Sequence, residues 1–272
     1  MLRPRVAAGA LAAAMAGVLV ACSGGAGGPA DPGPGGAGAS TADDVEPGAL
    51  TVFAAASLTE AFEDLADRFE DRHPEVEVVL NLGGSAALAQ QIVAGAPADV
   101  FAAAAEPPMA AVVDASRADD ATVFATNTLE LAVPAGNPAG FTGLADLARP
   151  DLRIALCDES VPCGAAAATL LDEDGVTAAP DTLESDVKAV LTKVALGEVD
   201  AGLVYRTDVH AAAEAGEAVE GVEVPSAASV VNRYPIAALA DAPHPAAAAA
   251  FAAFVTGQEG RAALDRLGFG AP

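Results

Sequence analysis

Hydrophobic and polar positions along this chain switch repeatedly between a period of two and a period near 3.6. From Leu50 to Phe62 the run LTVFAAASLTEAF starts as an apolar strand at Leu50, Val52 and Phe53, passes three alanines and turns helical at Ser57. Beyond it Leu58, Ala61, Phe62, Leu65, Ala66 and Phe69 form one continuous apolar face at helical spacing. Ser57 stands at the N-cap position, and Glu60 completes a capping box. A strand that runs straight into a helix leaves free N–H groups at the positive end of the helix dipole. That junction favours an anion.

The same arrangement recurs at once. Val76 to Leu82 is strand-like, Gly83-Gly84-Ser85 follows, and a helical run spans Ala86 to Ala94. Val100 to Ala102 predicts a third strand and Met109 to Ala115 a helix. Further strands are expected at Leu129–Val133, Leu152–Leu156, Ala201–Tyr205, Val222–Val224 and Arg233–Leu239. Helices are expected at Leu144–Leu147, Ala165–Leu171, Glu184–Leu196, Ala246–Val255 and Gly260–Leu267. Alternating strands and helices predict an α/β protein with parallel sheets, whose strand ends share a crevice where ligands of such sheets bind. The boundaries fall at 49–130 for a first lobe, 131–230 for a second, and 231–272 for a segment returning to the first.

Composition narrows the function. The 272 residues carry a net charge of −25, with 13 Lys and Arg against 38 Asp and Glu. Nucleic acid needs clustered cations on its partner, so it is excluded. An anion ligand would have to be held by short-range donors, against the long-range field. At the N-terminus, Arg3 and Arg5 precede an apolar stretch from Val6 to Val20 that is too short to span a bilayer. Residues 1–21 are therefore expected to be an export signal. Leu19-Val20-Ala21-Cys22 resembles the lipobox of bacterial lipoproteins, which implies cleavage before Cys22 and a lipid on its sulfur. Residues 22–48, rich in Gly, Ala, Pro and Ser, read as a flexible tether. Cys157 and Cys163 remain, six positions apart in an exported chain. A disulfide is the simplest reading; metal ligation by two thiols without a nearby His is the alternative.

Ser57 and Ser85 supply hydroxyls, Pro162-Cys163-Gly164 leads into the helix at Ala165, Val187 lies in the first turn of the helix after Leu183, and Tyr205 ends a strand with a phenol, although Cys163 and Val187 carry no signal of their own. Such a set donates hydrogen bonds and accepts few, which suits a fully deprotonated tetrahedral dianion. VFAAASL at 52–58, GSAALAQQI at 84–92, GAPADVF at 95–101, VPCG at 161–164 and GLVY at 202–205 resemble signature segments of periplasmic molybdate-binding proteins, the solute receptors of ABC importers. The resemblance covers residues 49–272. It implies a two-lobed periplasmic-binding-protein fold of type II, each lobe a mostly parallel sheet flanked by helices, with the oxyanion in the interlobe cleft. The ligand contacts it implies are Ser57, Ser85, the amides of Cys163 and Val187, and Tyr205. It implies no enzymatic activity, no cofactor and no metal-ligating side chain, since molybdate or tungstate is cargo. A monomer, lipid-anchored at the outer face of the cell membrane beside an ABC permease, is expected.

The chain departs from those relatives at Gly84, where many carry serine, and at Cys163, where many carry alanine. Glu60 must point away from an anion bound nearby. Sulfate, thiosulfate or phosphate on the same fold is the alternative ligand class. A serine hydrolase using Ser57 is a further alternative, against which no G-x-S-x-G elbow occurs and no candidate motif holds a His. A ferric-ion receptor would use neighbouring tyrosines, and Tyr205 and Tyr234 are not neighbours in sequence.

Overall fold

Strand β1 (Gly48–Ala55) lies inside the first sheet, one strand in from its edge, in the computed structural model, which describes residues 45–272. The expected signal segment, the lipidation at Cys22 and nearly all of the tether lie outside the described residues. After β1 come α1 (Thr59–Arg72), β2 (Val76–Gly83), α2 (Ser85–Val93), β3 (Val100–Ala102), α3 (Glu106–Asp114) and β4 (Thr122–Asn127). The chain then enters a second sheet with β5 (Leu129–Pro134). It continues through β6 (Ile154–Cys157), α4 (Pro162–Glu173), β7 (Thr182–Glu184), α5 (Val187–Ala195), β8 (Ala201–Tyr205), α6 (Arg206–Ala215) and β9 (Val219–Val222). It returns with β10 (Asn232–Ala238), α7 (Pro245–Thr256) and α8 (Gln258–Arg266).

The sheet orders are β2-β1-β3-β10-β4 and β7-β6-β8-β5-β9. In each sheet one strand runs against the other four: β10 in the first and β5 in the second. The sheets are thus mixed rather than wholly parallel. Both reversed strands are the ones by which the chain arrives from the other lobe. β4 leads into β5 through Thr128 alone, and β10 pairs β4 antiparallel while β9 pairs β5 antiparallel. Leu129 and Glu130 already pair with Tyr205 and Val204 in the second sheet.

Both faces of the first sheet are covered, which is why its strands read as near-continuous apolar runs. On one face Leu50 and Val52 join Phe62, Leu65, Phe69 and Phe251 of α1 and α7; on the other Phe53 and Phe101 meet Leu88, Ile92, Met109 and Val112 of α2 and α3. Phe69 and Phe251 meet edge to face at 5.2 Å between centroids, a favoured aromatic geometry. The second sheet buries Leu131, Ile154, Leu203, Val190 and Val194 in the same way.

One local expectation is corrected, and β4, β7 and α6 go beyond the elements the pattern predicts. Ser57 does not cap α1. It sits in a 3-10 turn (Ala56–Leu58), α1 begins at Thr59 without a side-chain cap, and no capping box forms with Glu60. β4 lacks strict alternation and β7 is only three residues long, and pairing with β10 and β6 makes them strands. α6 was hidden because RTDVHAAAEA buries little beyond Val209 and Ala212 as an apolar face; its end is set by left-handed Gly216, φ 73°.

Candidate functional site

The C-terminal ends of β1, β2, β6, β7 and β8 converge on one cavity between the lobes. Its lining includes Ser57, Gly84, Ser85, Cys163, Val187 and Tyr205, so the five residues singled out in the sequence stand together. The cavity measures ≈ 20 Å³, far below the several hundred Å³ of pockets for drug-sized ligands. It is scaled to an ion.

Each hydroxyl in this lining already accepts a hydrogen bond or is held by one. Ser85 Oγ accepts from the Ala104 amide at 3.0 Å. Tyr205 Oη accepts from Asn232 Nδ2 at 3.0 Å, and the same amide group donates to the Ala104 carbonyl at 3.0 Å. Ser57 Oγ lies 3.0 Å from Tyr234 Oη, which takes a longer bond from Asn127 Nδ2 at 3.5 Å. Either hydroxyl of the Ser57–Tyr234 pair can donate to the other. Ser85, whose oxygen accepts from an amide, keeps its own O–H to donate into the cavity, while the Tyr205 phenol has Tyr234 as a second neighbour. Burial, reinforced by Tyr234 and Asp208, holds the Tyr205 phenol well above its ordinary pKa, so it stays a donor.

Helix N-termini supply the rest. Ser85 and Val187 are the first residues of α2 and α5, and Cys163 follows Pro162 at the start of α4. First-turn amides have no carbonyl partner within their helix and carry the positive end of its dipole. Pro162 suits the opening position because it lacks an N–H. Asp186, which also lines the cavity, turns its carboxylate back to cap α5 through the Ala189 amide at 3.0 Å. Cys157 and Cys163 form a disulfide with 5.7 Å between Cα atoms. The loop it closes folds so tightly that a Cβ on Gly164 would sit 1.9 Å from the Asp158 carbonyl oxygen, which only glycine permits.

Glu60 stays out of the lining and pairs with Lys188 Nζ at 2.6 Å. None of His73, His210 and His244 lines the cavity; His210 lies near Glu214 and His244 near Asp99. Ser57 thus has a phenol, not an imidazole, as its neighbour. No group of three or more His, Cys, Asp or Glu suited to a metal occurs among the described residues.

Sequence reasoning missed Tyr234, Asn232 and Asn127. All three are buried, and Asn127 faces Asn232 in the β4–β10 register where the chain crosses between lobes. Their only signal was polar residues placed inside apolar strands, since buried amides need partners.

The model of the bacterial extracellular solute-binding protein family matches residues 50–270. The chain is 43% identical over 224 residues to the molybdate-binding protein ModA of Mycobacterium tuberculosis, covering 82% of this chain and 85% of that protein. Among solved structures, the periplasmic molybdate-binding protein of Azotobacter vinelandii superposes with a TM-score of 0.70 at 23% identity, covering 82% of this chain and 99% of that one. The sulfate-binding protein SubI of Mycobacterium tuberculosis does so with 0.69 at 22%, covering 81% and 86%. At such identities the two structures establish the fold alone.

Proposed function

The chain belongs to the bacterial extracellular solute-binding protein family, and from that premise we propose that it is a receptor for molybdate, and for the similar tungstate, in the cleft between its lobes. It is a solute-binding protein, not an enzyme. One observation carries the oxyanion reading: the hydroxyls of Ser57, Ser85 and Tyr205 line one small cavity, and the Ser85 and Tyr205 oxygens already accept from protein amides. With the amides of Cys163 and Val187 they offer donors to an ion that brings only acceptors. Hydrogen bonds to a charged group contribute roughly 1.5–3 kcal/mol each, so about five suffice for micromolar binding or better without a lysine or arginine on the ion. A protonated phosphate would leave its own O–H facing these donors unpaired, and a site built this way rejects it.

Closure of the lobes over the ion would present the liganded form to an ABC permease. The expected export signal and the lipid on Cys22 would keep the receptor at the outer face of the membrane, in line with the family's extracellular placement.

Calorimetric titration of the purified protein tests the reading. Molybdate and tungstate should bind tightly at one per chain, with sulfate at least about a hundredfold weaker. Equal affinity for sulfate would make this a sulfate receptor.

A further inference from the structure

We infer that Gly84 sets how closely the two lobes meet, and thereby the oxyanion size the cavity accepts. The inference rests on the oxyanion reading and adds to it a residue that offers the ion no side chain. Gly84 precedes α2 with φ −63° and ψ 125°, a conformation open to any residue. Its backbone gives no reason for glycine. The space around it does. A Cβ at this position would lie 2.5 Å from the Ser185 carbonyl oxygen and 3.7 Å from Asp186 Cβ. Its three nearest atoms all belong to the Ser185–Asp186 turn that leads into α5, on the opposite lobe.

A carbon resting on a carbonyl oxygen needs about 3.3 Å. Any side chain at 84 therefore requires the turn to retreat by about 0.8 Å, or the lobes to stop short of this closure. The contact lies between the start of α2, with Ser85, and the start of α5, with Val187. These two helix ends face the ion from opposite lobes. An N–H···O bond is good between about 2.7 and 3.2 Å, so such a retreat removes bonds on one side or the other. A small anion suffers more than a large one, because it spans less of the widened gap.

The test is Gly84→Ala in the purified protein, with Gly143→Ala as a control, since nothing lies within 4 Å of a Cβ at Gly143. Urea unfolding of the ligand-free Gly84→Ala protein should match wild type, because opening the lobes relieves the contact. Molybdate affinity should fall by about tenfold or more through faster dissociation, and sulfate affinity by a larger factor. Small-angle scattering at saturating molybdate should show less compaction than in wild type. Wild-type affinity in the variant, full compaction despite weakened binding, or equal losses for both anions would each overturn the inference. A wild-type protein that ignores molybdate would instead overturn the oxyanion reading, and this inference with it.

Discussion

Lys188 Nζ lies 2.6 Å from Glu60 Oε1 on the opposite lobe and 3.1 Å from Asp208 Oδ1 on its own. Burial works against the Lys188 charge, yet Asp208 and Glu60 outweigh it and raise its pKa above the usual lysine value. Asp208 is fully buried. Its Oδ2 accepts from the Tyr205 amide at 3.1 Å, whereas Oδ1 has the lysine nearby but no aligned hydrogen bond. One cation thus compensates a buried carboxylate and ties the lobes together beside the cavity. It does so without lining that cavity.

Glu60→Gln should keep the fold and weaken the closed form. The Glu60 carboxylate is 42% exposed, which limits the pair to about 0.5–1 kcal/mol, a loss of a few-fold in molybdate affinity. Lys188→Met should do more, because it strands a buried charge. A loss of about 3 kcal/mol in unfolding free energy is expected. Urea denaturation and titration of both variants separate the two effects; equal stability losses would contradict the different roles given to the two partners.

Stability should carry the mark of Asp208 as pH changes. Burial, opposed by Lys188, raises its carboxyl to about 6. An unfolded aspartate titrates near 3.9, so the folded protein keeps a proton that the unfolded chain gives up. The stabilisation is complete below about pH 4 and declines as pH rises through about 6, by roughly 3 kcal/mol. In Asp208→Asn this slope is missing, so the variant's stability relative to wild type should climb between about pH 4 and 6. A flat difference across that window would mean an ordinary pKa.

Tyr234→Phe removes the hydroxyl beside Ser57 and leaves the ring that packs against Tyr205 in place. Ser57→Ala should cost about 1–3 kcal/mol of molybdate binding, and Tyr234→Phe about 1 kcal/mol, because Ser57 loses the partner that orients it. The two losses should be coupled by at least about 0.5 kcal/mol in a double-mutant cycle. Additive losses would mean that Tyr234 does not act through Ser57.

Replacing both Cys157 and Cys163 with alanine opens the ring that holds the start of α4. The lost constraint on the unfolded chain is worth roughly 2 kcal/mol of stability. Molybdate affinity should fall by a few-fold, since the Cys163 amide is then positioned by α4 alone. Unchanged affinity in folded protein would leave the disulfide a purely stabilising role.

Much of this molecule follows from neighbours in sequence. The apolar faces of β1, α1, α5 and β8 are local patterns, and the donors Ser57, Ser85 and Tyr205 stand where strands end. Those features need only the chain's own periodicity and the chemistry of each side chain. The tertiary structure decided the rest, because it depends on residues far apart in sequence. Strands β5 and β10 run backwards because they are the crossings between lobes. Ser57 meets Tyr234, 177 positions away, instead of capping its own helix. Glu60, a first-turn acid by pattern, is drawn off by Lys188, 128 positions on. Gly84, an unremarkable loop glycine in the sequence, gains its meaning from a carbonyl on the facing lobe. A one-dimensional pattern records which groups are donors and which faces are apolar; only the closed fold determines what each of them faces.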